Sequence, residues 1–289
     1  MATVYTTAVS ARADTLSNFK AWASLFFTVL AAGNFNWTRD FAYADAAYQT
    51  GSSGTFADWT VIDQVPTAEG QVYEIYAMND GAAQSGCPFY MRLDYYYDGQ
   101  LKLKVRFGRG HSSGTMTGTN GESYSFEATE NNTATTYNLW FSGTTNRFAF
   151  SLWNQYAGQG WFCTIERSKD STGTDTYGSD DFVNVMLLGN GISATTSNQS
   201  AHIILPQNGT VPNAQSVAPV IEYEPTTAAF GTDVALFPLT PVWKKVRAPL
   251  LNYFVTKAVD FTALDESSIS VTHYGSSRTF KVLNNSAYV

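Results

Sequence analysis

The sequence predicts a mostly β fold: an antiparallel sandwich-like body carrying one N-terminal helix. Three observations predict it. Apolar residues recur at every second position in many short stretches, and runs of Gly, Ser, Thr and Asn separate those stretches. A single segment near the start has helical spacing. Many short strands joined by such turns argue for antiparallel sheets. A chain of 289 residues is long enough to bury an ample core.

The helix comes first. Leu16, Phe19, Ala23, Phe26, Phe27 and Leu30 fall near a 3–4 spacing and line one stripe. Asp14 suits its N-cap and Gly33 its stop. The other face carries Ser17, Asn18, Lys20, Ser24 and Thr28, polar but barely charged. Two readings stand: a helix packed on a sheet, or a helix buried between subunits. In the second, Phe19, Phe26 and Phe27 become interface residues.

The period then changes to two. Gln71 to Met78 alternates and ends at the turn Asn79-Asp80-Gly81. A strand led by Pro88 runs to Tyr97 and reaches the hairpin dipeptide Asp98-Gly99. Its partner places Leu101, Leu103, Val105 and Phe107 inward and Lys102, Lys104 and Arg106 outward. Further strands are expected at Ser123–Ala128, Thr136–Ser142, Arg147–Asn154, Gly160–Arg167 and Val183–Leu188. From Pro206 to Pro219 the chain reads PQNGTVPNAQSVAP, which suits neither helix nor central strand. Val234–Val246 and Ser268–Leu283 look β-rich again, with a turn at Tyr274–Ser277. The expected organisation is an arm and helix over 1–33, a sandwich-like body over 34–205, and a linker with a β-rich C-terminal segment over 206–289.

Composition narrows the function. Only 14% of residues are charged, against roughly 25% in an ordinary soluble domain, while 15% are aromatic. A disordered chain has the opposite balance. With 17 Lys and Arg against 24 Asp and Glu, the net charge is -7, which argues against gripping a nucleic-acid backbone. The start, MATVYTTAVSARAD, lacks the basic and apolar regions of a signal peptide. The apolar run from Leu25 to Ala32 is far short of the ~20 residues that span a bilayer. The expectation is cytosolic synthesis and no membrane insertion. Cys87 and Cys163 sit in apolar surroundings and make no metal pattern; both read as reduced core thiols, with one bridge between them as the alternative.

Several constellations invite chemistry. Gly110-His111-Ser112-Ser113-Gly114 fits G-x-S-x-G, the elbow that raises a serine nucleophile. That elbow needs a helix straight after the serine, whereas Thr115–Gly121 reads as loop, so hydrolysis through Ser112 is disfavoured. The acidic loop with Asp170, Asp175, Asp180 and Asp181 offers hard oxygens, but its spacing matches no calcium loop, and a solvated connection is the simpler reading. His111, His202 and His273 are far apart and suggest no metal site. The sequence therefore supplies no catalytic, cofactor-binding or metal-binding set. Trp243 stands beside the basic Lys244, Lys245 and Arg247 and is a candidate interface residue. Trp153 and Trp161 could stack on sugar rings, or belong to the sheet core.

The order of features resembles a group of tailed-bacteriophage virion proteins. The resemblance rests on an aromatic strand ending in Asn-Asp, Gly70 to Gln84, and on the Pro-led strand Pro88–Tyr95. It continues in the Gly-rich loop closing on Thr-Gly within Val105–Gly118, in Phe162–Asp170 with Thr172-Gly173, and in the closing segment Val271–Leu283. It departs over Asn34–Thr67, where this chain is longer, and at Gly99. The resemblance implies a non-enzymatic structural role in the virion, in the tail, baseplate or fibre-attachment region. It implies assembly in the host cytoplasm through contacts with other virion proteins, as a homo-oligomer, without a cofactor. A capsid decoration protein and a module binding receptor or host surface glycan are the alternative expectations.

Overall fold

In the computed structural model, residues 3–10, 12–31, 35, 37–51, 53–80, 88–117, 124–128, 136–144, 147–154, 159–167 and 183–189 are described, with short strands between 202 and 284. Strand β1 (Thr3–Ser10) precedes helix α1 (Leu16–Ala31), and β2 (Trp37–Ala44) follows. Two single-turn 3-10 segments, Ala46–Tyr48 and Trp59–Val61, lie in the connection onward. Next come β3 (Val72–Met78), β4 (Tyr90–Tyr97), β5 (Leu101–Gly108), β6 (Gly110–Ser112), β7 (Thr115–Thr117) and β8 (Tyr124–Ala128). They lead to β9 (Thr136–Thr144), β10 (Arg147–Asn154), β11 (Gln159–Arg167), β12 (Val183–Gly189), β13 (His202–Ile204) and β14 (Gln215–Ser216).

The fold is mostly β, as the period-two patterning predicts. One antiparallel sheet has five strands in the order β2-β3-β4-β5-β8, and another has seven in the order β1-β9-β10-β11-β12-β13-β14. Strands β8 to β12 fall within one or two residues of their expected limits. The hairpin at Asp98-Gly99 forms, pairing Tyr97 with Leu101 across a loop in which Gly99 has φ +92°. That left-handed backbone suits glycine, which has no Cβ to clash. Along β5, Leu101, Leu103, Val105 and Phe107 are all buried, as their alternation requires.

Helix α1 joins the two sheets. The Phe26 ring meets Tyr95 of the first sheet, and Phe141 and Phe150 of the second, at centroid separations of 5.7, 5.4 and 5.6 Å. Trp22 packs edge-on to Tyr95 at 5.5 Å, and Phe19 to Trp59 at 6.1 Å. The sheets also touch directly through Trp37 and Phe148. Edge-to-face pairs contribute about 0.5–1.5 kcal/mol each beyond area burial. The buried stripe is wider than the sequence spacing indicates, because Trp22 and Val29 join Phe19, Ala23, Phe26 and Leu30.

Several expectations need correction. Thr15, not Asp14, caps the helix: its Oγ1 accepts the Asn18 N–H at 3.2 Å, and its carbonyl accepts the first helical N–H, from Phe19. The expected stop at Gly33 lies outside the described residues. Residues 1–33 are not a separate arm, because β1 pairs with β9 along eight residues and α1 lies in the core. The boundary at 206 is likewise crossed, since β14 pairs with β13. Residues 110–117 are not loop but the hairpin β6–β7, with Ser113 at φ 46° and Gly114 at φ +91° in its turn. Two consecutive positive φ values give a hairpin turn whose twist matches its strands.

Toward the C-terminus, Glu266–His273 and Ser276–Asn284 form the expected hairpin, joined by Tyr253–Lys257 and Phe237–Pro238 into a four-stranded sheet. The Pro-rich connection lies mostly outside the described residues.

Candidate functional site

The five-stranded sheet carries ionic groups on both faces, and strand period decides which group goes where. Glu74 on β3 stands opposite Ala42 and Leu93, whereas Tyr73 and Ile75 stand opposite Asp94 and Arg92. Neighbours in register share a face, so Glu74 faces the helix side while Arg92 and Asp94 occupy the other. A bulge between Arg39 and Phe41 adds one residue to β2 and turns Arg39 toward Glu74.

On the helix side, Glu74 has no exposed surface. Its Oε2 accepts hydrogen bonds from the Tyr76 and Tyr95 hydroxyls at 2.6 and 3.1 Å, and its Oε1 accepts from Arg39 at 3.0 Å. The Arg39 guanidinium lies 4.2 Å from the Phe27 ring centroid and also donates to the Ala57 carbonyl. Burial pushes the Glu74 carboxyl above its ordinary range, against the pull of Tyr76, Arg39 and Tyr95. Burial also raises both phenols well above theirs. A carboxylate enclosed by three donors ties β2, β3 and β4 together and presents nothing to an incoming molecule.

On the other face, Arg92 holds Asp94 through Nε at 2.8 Å and through Nη2. Its Nη1 donates to the Gly114 carbonyl at 3.0 Å, so it also anchors the β6–β7 turn. Asp94 also accepts the Gly70 N–H at 3.1 Å. Burial raises the Asp94 carboxyl, and Arg92 opposes that rise. Beside this pair, Glu69 accepts from both Lys104 and Arg106. Partial burial would raise Glu69, but the two cations outweigh it and hold its carboxyl below the ordinary range.

The hairpin β6–β7 brings His111 to the same region. Its Nε2 lies 2.7 Å from Asp40 Oδ2, with Phe41 and Tyr90 flanking the ring at 5.7 and 5.6 Å. Ser112 is exposed and pairs with Thr115. The chain after it continues as strand β7, so no helix start stands behind Ser112 to supply oxyanion donors.

The remaining sequence-predicted residues scatter. Phe19 and Phe26 are 0% and 1% exposed, which corrects their assignment to a subunit interface: the protein's own core covers them. Phe27 is half-buried beneath Arg39. Trp153 pairs in register with Gly160, Trp161 with Leu152 and Gly189, and Trp243 with Lys245. Their side chains lie outside the described residues, as do Cys87 and the acidic loop Asp170–Asp181. Cys163 is a free, buried thiol whose pKa burial pushes well up. Among the described residues, no three His, Cys, Asp or Glu side chains could hold a metal ion together, and no helix is long and apolar enough to cross a membrane.

Arg39, Glu74, Arg92 and Asp94 were not singled out from sequence. The available signal was a charged residue inside an otherwise apolar strand, as with Glu74 between Tyr73 and Ile75. Comparison with known proteins adds no family: no family model matches the chain, and no curated protein matches it.

Proposed function

We propose that the protein is a structural component of a tailed-phage virion and works through protein–protein contacts. One observation carries the reading: the Lys, Arg, Asp and Glu side chains of strands β2 to β5 are engaged within the chain. Arg39 with Glu74, Arg92 with Asp94, Lys104 and Arg106 with Glu69, Lys102 with Asp98, and His111 with Asp40 all pair internally. Only 14% of the chain is charged to begin with, so charge is sparse over it as a whole. Surfaces depleted in charge suit burial against a neighbour, since charged residues are sparse at interface centres. The buried ion pairs suit a part that must hold one rigid shape in an assembly. The order of sequence motifs that resembles tailed-phage virion proteins supports the same reading, with the tail, baseplate or fibre-attachment region as the proposed position.

The test is to purify particles from infected cells and locate the protein by mass spectrometry and antibody labelling. It should be present at a fixed copy number per particle, with label confined to one position. Particles that form normally without this chain, and never contain it, overturn the proposal.

A further inference from the structure

We infer that β1 is a docking edge and that its occupant is the β1 strand of a second copy, paired antiparallel across a two-fold axis. The inference rests on the assembly reading above and names the contact. Strand β1 ends the seven-stranded sheet, with β9 hydrogen-bonded along one side and no further strand on its other side among the described residues. An edge strand presents a row of backbone donors and acceptors that fits an extended segment and little else.

The edges of the two large sheets differ in how they are guarded. Strand β2 is bulged at Arg39/Phe41, carries Arg39 and Asp40, and is bridged at Tyr43 by Thr55. Strand β8 carries Glu127, and β14 is only two residues long. Strand β1 has none of these guards. Its sequence TVYTTAVS contains no charge, proline or glycine, and its register with β9 runs unbroken from Thr3↔Gly143 to Ser10↔Thr136. Bulges, charges and shortness are the usual means of blocking edge pairing.

The same sequence explains why a second copy fits. Antiparallel pairing of β1 with itself about Thr6 sets only Thr, Val, Tyr and Ala against one another. No like charges meet, and hydroxyl and β-branched neighbours are favourable cross-strand pairs. A two-fold contact of this kind closes on itself and joins two seven-stranded sheets into one of fourteen.

Sedimentation equilibrium of the full chain tests this. The wild type should have twice the 31.6 kDa chain mass at micromolar concentration, while Thr6→Lys and Thr6→Glu should each sediment as monomers. Mixing the two variants should restore the dimer, because opposite charges then meet across the axis. Circular dichroism checks that each variant remains folded. Thr6→Cys gives a second readout: mild oxidation should yield a disulfide-linked dimer that the wild type does not form. A monomeric wild type, an unchanged mass in both charged variants, or folded variants that stay monomeric when mixed would each overturn the inference. A monomer in solution that is nevertheless found in particles would remove this contact while leaving the virion role standing.

Discussion

The guanidinium of Arg92 lies 3.5 Å from the centre of the Tyr73 ring while holding Asp94 and the Gly114 carbonyl. One side chain thus satisfies a buried carboxylate, an aromatic face and a hairpin turn. Arg92→Met should leave Asp94 buried without its cation, costing about 3–5 kcal/mol by urea denaturation. Adding Asp94→Asn should recover much of that loss, because the uncompensated charge is then gone. Arg92→Lys should not rescue, since an ammonium cannot hold the carboxylate with a planar fork. If Arg92→Met and the double variant are equally unstable, the ion pair is not what matters at this position.

Gly114 and Gly99 both have positive φ, +91° and +92°, but differ in surroundings. A Cβ on Gly99 meets nothing within 4 Å, whereas on Gly114 it meets the Tyr73 hydroxyl and comes within 3.1 Å of Phe41. Gly99→Ala should therefore cost only the conformational penalty, about 1 kcal/mol. Gly114→Ala adds a steric clash at a ring already held by Arg92, and should cost about 2–3 kcal/mol or more. Equal melting temperatures for the two variants would show that the hairpin does not pack on Tyr73.

The contrast between these glycines marks what sequence can reveal. The alternation of Leu101, Leu103, Val105 and Phe107 is local and directly reports a half-buried strand, so β5 and most strands from β8 to β12 were legible. Strands β1 and β2 were not expected: in the first, Val4, Tyr5, Ala8 and Val9 fall in adjacent pairs rather than alternating, and the Trp37–Ala44 segment breaks its alternation at the Arg39 bulge. The ionic network was hidden for a different reason. Arg39 meets Glu74 across 35 positions, and His111 meets Asp40 across 71, so the partners are set by sheet order. The helix stripe was legible as apolar, but whether it faced its own sheets or another subunit depends on what packs over it.

Glu74 and Glu69 should act oppositely with pH. The folded pKa of Glu74 is raised, so the folded state binds more protons than the unfolded state in the interval above the ordinary carboxylate value of about 4.3. Its contribution to stability is then full below that value and is lost as pH rises through the raised one. The folded pKa of Glu69 is lowered, so its contribution is full above about 4.3 and is lost as pH falls through the lowered one. Melting temperatures measured from pH 3 to pH 8 should show Glu74→Gln removing a decline on the high-pH side. Glu69→Gln should remove a decline on the acid side, a smaller effect because Glu69 is partly exposed and screened. Unchanged slopes in both variants would show that neither carboxylate is perturbed.

The helix start separates two residues that sequence alone confuses. Asp14 and Thr15 are both good capping types, yet it is Thr15 that precedes Leu16 and accepts the Asn18 N–H. Asp14 is exposed and lies one position too early for that role. Thr15→Ala should therefore cost about 1 kcal/mol, whereas Asp14→Ala should change stability by less than about 0.5 kcal/mol. Phe26→Ala, by comparison, removes the ring that touches both sheets and should cost about 3–5 kcal/mol. Chemical denaturation of the three variants gives the order directly. A larger loss for Asp14→Ala than for Thr15→Ala would move the helix start back by one residue. A small loss for Phe26→Ala would mean that the two sheets are held together by the Trp37–Phe148 contact rather than by the helix.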